Sequence, residues 1–161
     1  MQSSPNGLTA YWPILFLALG VTLMGFIGFL NSVISGWYSL SKRFHAQSEP
    51  YGDTRIAGPF FYTVYMRYWA HYSCIIRMIA AEDALYLSAH FGFRIGHPPL
   101  SIPWREIRLS RTNRFWRRYV VLTLGDQEKI PMRISERMAR NLGILERLAN
   151  LESALLGAAR L

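Results

Sequence analysis

An apolar run near the N-terminus constrains this chain more than any other feature. From Ala10 to Leu30 the sequence reads AYWPILFLALGVTLMGFIGFL, 21 residues in which Thr22 is the only polar interruption. Because an α-helix rises about 1.5 Å per residue, such a run covers the roughly 30 Å hydrocarbon core of a bilayer. It predicts a transmembrane helix over about residues 10–34, within an N-terminal unit of residues 1–36.

A cleaved signal peptide is the competing interpretation of this run. It requires a positively charged segment followed by a shorter apolar core of about 7–15 residues. Here no Lys or Arg precedes the run, and the run is longer than such a core. We therefore expect a retained span.

Charge is distributed unevenly along the 161 residues. All of the Lys, Arg, Asp and Glu residues lie at or after Lys42, and together they give a net charge of +8. Because basic flanks stay on the cytoplasmic side, we expect the N-terminus outside and the larger C-terminal part in the cytoplasm. The expected interfacial anchors flank the run and are Tyr11, Trp12, Trp37, Tyr38, Lys42 and Arg43.

Small residues recur at helical spacing in the second half of the run and just beyond it. They are Gly25, Gly28, Ser32 and Gly36. Such a stripe allows another helix to approach closely, although glycine is also common in membrane helices generally. The stripe predicts packing against a helix of another membrane subunit.

The remaining chain has the pattern of an α+β domain. Residues 37–59 mix aromatic, basic and turn residues, which predicts a juxtamembrane linker that begins as a helix. Strand-like runs then occupy residues 60–66, 73–81, 85–91, 99–108, 118–124 and 129–134. Ser135 is a typical N-cap, and the apolar spacing after it predicts one amphipathic helix over 135–157.

Two segments carry a resemblance to a known fold. Ala81–Ser88 reads AEDALYLS and Leu100–Ile107 reads LSIPWREI. With the terminal helix, they resemble the pleckstrin-homology-like, or GRAM-like, domains of bacterial single-pass membrane proteins. The resemblance implies, over residues 60–161, an antiparallel curled sheet or split barrel capped by the helix. It also implies a binding module at the bacterial inner membrane rather than a reaction.

Catalytic and cofactor-binding patterns are absent from the sequence. The single cysteine, Cys74, excludes an internal disulfide and a Cys-rich metal site. The four histidines lack metal-ligand spacing, and no phosphate-binding, dinucleotide-binding or nucleophile-elbow motif occurs. We expect neither an enzyme nor a cofactor or metal.

The most informative polar feature is a basic run that joins two strands. Six arginines and one acid, Glu106, lie between Arg105 and Arg118. Guanidinium groups fit phosphates and carboxylates, and aromatic rings suit an interface. The expected partner-binding or headgroup-binding residues are Arg105, Arg108, Arg111, Arg114, Trp116, Arg117 and Arg118. An ordinary solvated face is the alternative, and the membrane tether disfavours nucleic acid.

Two functions stay open at this point. One is a non-catalytic, membrane-anchored interaction module, an accessory or assembly subunit of a larger inner-membrane complex. The other is a membrane sensor that binds anionic lipid headgroups through the arginine-rich hairpin 105–118. The expected partners are accordingly other membrane-protein subunits, with anionic lipids as the second class.

Overall fold

The structure is a computed structural model that describes residues 11–51, 54–57, 62–67, 70–90, 93–114 and 117–158, without the side chains at 114, 117, 152 and 154–158. A short 3-10 helix at Trp104–Glu106 separates two of the strands. The elements of this part of the chain are α1 (Trp12–Ser35), α2 (Trp37–Phe44), β1 (Arg55–Ala57), β2 (Thr63–Met66), β3 (Ala70–Ser73), β4 (Ile76–Ala80), β5 (Ala84–Ala89), β6 (Leu100–Pro103), β7 (Ile107–Arg114), β8 (Arg117–Leu124), β9 (Ile130–Ser135), α3 (Glu136–Asn141) and α4 (Ile144–Ala158).

The helix α1 confirms the predicted apolar helix. It is long and apolar enough to cross a membrane. Pro13 lies in its first turn, where a backbone N–H has no helical partner to lose. Nearly all of its side chains from Trp12 to Leu30 are exposed, and its buried residues are Ser32 and Ser35 in the last turns. The other described residues therefore leave most of this apolar helix uncovered.

The described strands form two antiparallel sheets, which confirms the α+β class. The strand order is β1-β4-β5-β6 in one sheet and β3-β2-β9-β8-β7 in the other. Successive side chains of a strand point to opposite faces, and β9 accordingly alternates between buried and half-buried residues. One apolar cluster joins both sheets and includes Leu85, Ile102, Leu122 and Met132.

The predicted juxtamembrane linker over 37–59 is corrected by the structure. Trp37, Leu40 and Phe44 form one face of α2 and are buried in the same cluster as the sheets. Their helical spacing presents a continuous apolar stripe to the core. The globular part therefore begins directly after α1 and not near residue 60.

The predicted strands are present with altered boundaries. The run 73–81 is interrupted at Cys74, which takes φ +58° and separates β3 from β4. The run 99–108 is divided by the 3-10 helix, where the Trp104 indole nitrogen donates to the carbonyl of Ala81 at 2.9 Å. The start of the run 60–66 lies outside the described residues.

The predicted helix over 135–157 is divided into α3 and α4. Ser135 caps α3 as predicted, and its hydroxyl oxygen accepts from the Met138 N–H at 3.3 Å. The helix then ends because the Gly143 N–H turns back to the carbonyl of Arg140 at 3.0 Å. In α4, Leu148 is buried but Leu151 is 53% exposed, so the described core-facing stripe is confined to its first turns.

The break between α1 and α2 generates a prediction. Gly36 takes φ +85°, and a Cβ added there would overlap Ile130 Cδ1. A left-handed backbone costs other residues about 1–2 kcal/mol. We expect Gly36→Ala to lower the free energy of unfolding by at least about that amount. Gly20→Ala is the matched control, because nothing lies within 4 Å of its added Cβ. Thermal unfolding in detergent measures both, and equal stability of the two variants would contradict the observed turn.

Candidate functional site

The end of α1 is fastened to the globular part through the Ser32 hydroxyl. Ser32 and Ser35 are completely buried. The Ser32 hydroxyl donates to the carbonyl of Gly96, and the Ser35 hydroxyl donates to the carbonyl of Ser32 at 3.1 Å. Because a buried hydroxyl requires a hydrogen-bond partner, the Ser32–Gly96 bond favours one position of the helix against the globular part. We call this contact region, residues 32–37 with residues 93–98, the junction.

The predicted small-residue stripe packs against the chain itself. A Cβ at Gly28 would lie 3.2 Å from the Ile95 carbonyl oxygen, and one at Gly25 would lie 3.8 Å from the Ile95 side chain. The Gly36 position is closed by Ile130, as described above. Gly25, Gly28 and Ser32 therefore pack against residues 95–96, and Gly36 packs against Ile130. These contacts correct the prediction that Gly25, Gly28, Ser32 and Gly36 receive a helix of another subunit.

An aromatic cluster forms the floor of the junction. The Trp37 indole N–H donates to the carbonyl of Pro98 at 2.8 Å. Its ring centre lies 5.3 Å from that of His97 and 6.2 Å from that of Tyr72. Trp37 is 0% exposed, so it reaches neither headgroups nor water. The prediction that it is an interfacial anchor is therefore wrong.

Burial holds His97 in its neutral form, and hydrogen bonds fix its tautomer. Its Nδ1 lies 3.3 Å from the carbonyl oxygen of Ile95, and its Nε2 lies 2.8 Å from the Tyr72 hydroxyl. Since a carbonyl only accepts, these partners assign the proton to Nδ1 and make Nε2 the acceptor. Burial lowers the pKa of His97, against an opposing effect of the nearby backbone carbonyls. Burial also raises the pKa of Tyr72 to about 12, which keeps the phenol protonated as the donor.

A cavity of about 440 Å³ opens between α1 on one side and residues 72–75 and 93–97 on the other. Its polar lining residues, Asn31, Tyr72 and His97, lie at or beside the junction. The rest of the lining is chiefly apolar and includes Val21, Met24, Ile27, Ile75, Phe93 and Ile95. The sequence pattern does not reveal this cavity, because its two walls are far apart along the chain. Ser32 and Gly96, which join the two segments, are separated by 64 residues. The sequence signal that points to this cavity is the occurrence of two large apolar residues, Phe93 and Ile95, in a loop that also contains glycine.

The remaining predicted anchors divide into two groups. Tyr11, Trp12, Tyr38 and Lys42 are exposed, and the Lys42 ammonium lies 4.8 Å from the centre of the Tyr38 ring. Their placement at the membrane interface stays a prediction. Arg43 instead bonds two carboxylates, Glu106 at 3.2 Å and Glu128 at 2.9 Å. These bonds tie α2 to the 3-10 helix and to the turn between β8 and β9. Because Arg43 is exposed as well, its role as an interfacial anchor also stays a prediction.

The predicted basic hairpin is formed by β7 and β8. These strands pair antiparallel from Ile107 opposite Leu124 to Arg114 opposite Arg117. Trp116 lies outside the described residues, and so do the side chains of Arg114 and Arg117. The arginines whose side chains are described are all exposed, and we call them the basic edge: Arg105, Arg108, Arg111 and Arg118.

The arginines of the basic edge are divided between two faces of the hairpin. Arg108 donates to the Asp126 carboxylate at 3.0 Å. Arg111 is three residues further along the strand and therefore lies on the opposite face. There it lines a cavity of about 220 Å³ together with Arg118, Asn113 and Glu136. Arg111 and Arg118 thus line the same cavity, and Arg108 lies on the opposite face of the hairpin.

Metal-ligating side chains do not gather elsewhere in the described ranges. No group of three His, Cys, Asp or Glu side chains comes together there in the manner of metal ligands. The adjacent Glu82 and Asp83 are exposed in the turn between β4 and β5. Two features of the described residues that suit binding are the cavity beside the junction and the basic edge.

The buried state of His97 predicts a dependence of stability on pH. Because its pKa is lowered from 6.5 on folding, the unfolded chain takes up a proton at higher pH than the folded chain does. This contribution to stability is complete above about pH 6.5 and is lost as the pH falls toward the lower folded-state pKa. We expect His97→Gln to flatten the slope of unfolding free energy against pH between about pH 7 and about pH 5.5. His45→Gln, at an exposed histidine, is the control, and an unchanged slope in His97→Gln would contradict the assignment.

Comparisons of the chain with protein-family models, with curated proteins and with solved structures find no match. The resemblance of residues 81–88 and 100–107 to pleckstrin-homology-like domains therefore stays a prediction. A function is therefore inferred from the junction, its cavity and the basic edge.

Proposed function

We propose that the protein is a non-catalytic, membrane-anchored interaction module. In this proposal it serves as an accessory or assembly subunit of a larger inner-membrane complex. The observation that carries the proposal is the junction, because it ties an exposed apolar helix to a folded domain by buried contacts. A domain held in this way presents its surfaces in a constant orientation to neighbours in the same membrane.

The topology proposed is a single span with the N-terminus outside. Support comes from the charge distribution, since all charged residues follow α1 and basic flanks remain cytoplasmic. Further support comes from Ser32 and Ser35, which are buried by the globular part. A leader removed by cleavage would take these contacts with it, so retention of the helix is favoured over a signal sequence.

A pleckstrin-homology-like fold is the domain class we propose. Two antiparallel sheets surround one apolar cluster, and helices follow the last strand. We propose that α3 and α4 together close one opening between the sheets. Ile144 and Leu148 of α4 are buried, in keeping with that role. Such a fold supplies a binding surface, which agrees with an interaction module.

The docking surface proposed is the basic edge. In the described part of the chain, β7 pairs with β8 on one side and is the outer strand of its sheet. Its exposed arginines belong to a chain with net charge +8. An acidic surface of a membrane-protein subunit complements this charge, and guanidinium groups bind carboxylates in a planar, two-pronged geometry.

Removing the charges of Arg111 and Arg118, which line the cavity of about 220 Å³, tests this function. We expect the double variant Arg111→Gln and Arg118→Gln to reduce recovery of co-purifying membrane subunits about tenfold, the effect of about 1.4 kcal/mol. Extraction of the full-length protein in mild detergent followed by mass spectrometry measures recovery. Arg77→Gln in β4 is the matched control, since it removes a half-exposed arginine from the other sheet. Recovery of a bare protein from native membranes, with crosslinking yielding no subunit, would overturn the proposal.

Anionic lipid headgroups are the second candidate ligand. The observation that favours them is the cavity of about 220 Å³, where two arginines and the Asn113 amide line one space. Guanidinium and amide donors fit phosphate oxygens. This candidate requires the basic edge to face the bilayer.

Hydrogen exchange distinguishes the two ligands. Under the headgroup function, we expect the backbone amides of residues 105–118 to exchange more slowly in nanodiscs of anionic lipid than in neutral ones. High salt removes the protection, because screening weakens exposed charge pairs. Equal exchange in both kinds of disc would contradict the headgroup function and leave the protein partner as the ligand.

A further inference from the structure

The turn at residues 93–96 lies directly against the backbone of α1. A Cβ added to Gly96, which takes φ +78°, would lie 3.0 Å from Phe29 Cα. The His97 N–H donates to the carbonyl of Arg94 at 2.9 Å, which closes the turn. On the helix side, Gly28 faces the Ile95 carbonyl and Ser32 bonds the Gly96 carbonyl. We call residues 93–96 the helix-side loop.

The contacts place this loop beside the apolar part of the helix. If Trp12 lies at the outer interface, a hydrocarbon core of about 30 Å ends about 20 residues later, near Ser32. Gly28 and Gly25 then lie about 6 Å and about 10 Å inside the core. Ile95 contacts the helix at this depth.

The composition of the loop matches that depth. Phe93 is 45% exposed and Ile95 is 57% exposed, although both are large apolar side chains. Arg94 lies between them in the sequence and has the length to place its charge at the headgroups while its stem stays in the apolar layer. The cavity beside the loop is bounded by Val21, Met24 and Ile27 of the same helix.

We propose that the helix-side loop is embedded in the cytoplasmic leaflet and is a second membrane contact of this chain. The acyl chains of bilayer phospholipids cover Phe93 and Ile95 and fill the apolar part of the cavity. The polar lining, Asn31, Tyr72 and His97, then marks the inner end of the hydrocarbon layer. This inference rests on the proposed span, because it takes the depth of the loop from α1.

A second contact restricts the motion of the domain. A domain held firmly on a single helix can still turn together with that helix about the helix axis and tilt with it in the membrane. An embedded loop on one side of the helix fixes which face of the domain is turned toward the bilayer. The remaining faces are thereby presented to other membrane proteins.

Depth-dependent quenching tests the embedding in the full-length protein. Cys74 is the only cysteine, so a Cys74→Ser background allows single labelling sites. A fluorophore attached through Ile95→Cys is compared, in nanodiscs, with the same fluorophore at Leu23→Cys and at Tyr51→Cys. Leu23 is an exposed residue of α1, and Tyr51 is fully exposed on the globular part. Phospholipids brominated on the acyl chains serve as the quencher.

We expect the Ile95 and Leu23 sites to lose most of their emission in brominated nanodiscs and the Tyr51 site to retain it. Phe93→Cys is the second loop variant and is expected to match Ile95→Cys. Quenching at Leu23 with none at either loop site would overturn the embedding and leave the span intact. Absence of quenching at Leu23 and at the loop would overturn the span and the inference together.

Discussion

The close approach of two backbones at the end of α1 is the contact on which the rest of the structure depends. Gly28 and Gly96 face a neighbouring backbone at distances that leave little room for a side chain. Ser32 adds a hydrogen bond at the same place, and Trp37 closes the floor with another. Because these contacts join residues 28–37 to residues 93–98, they turn an apolar helix and a separate sheet domain into one unit.

Seen from this contact, the polar residues of the junction have a structural role. Ser35, Tyr72 and His97 are buried, and the two ring residues bond each other. Burial holds His97 neutral by lowering its pKa, so acid weakens the attachment of the helix. Further from α1, Arg43 ties α2 to the rest of the domain through its ion pairs with Glu106 and Glu128. Orientation of the domain is thus secured by buried groups near the helix and by ion pairs further away.

Local pattern predicts the elements of this fold better than it predicts their contacts. The helix α1, the strand β8 and the N-cap Ser135 follow from short-range periodicity and capping chemistry, and all three are present. Trp37 shows the limit, since an aromatic residue after a span is typical of an interface until a distant segment covers it. The glycine stripe shows the same limit, because its spacing reveals that something packs closely but not which part of which chain. The sequence does not predict the division of the basic edge, because the basic run indicates a loop where the structure has the strand β7.

A domain fixed to α1 by the junction holds the basic edge in a constant position relative to the span. Electron-spin distance measurement between labels at Leu23→Cys in α1 and Ser110→Cys in β7, in a Cys74→Ser background, tests it directly. Both sites are exposed, so labels do not disturb the core. We expect a single narrow distance distribution that is the same in detergent and in nanodiscs. A broad distribution, or one that changes between the two environments, would contradict the claim, because it would mean that the domain moves freely on its helix.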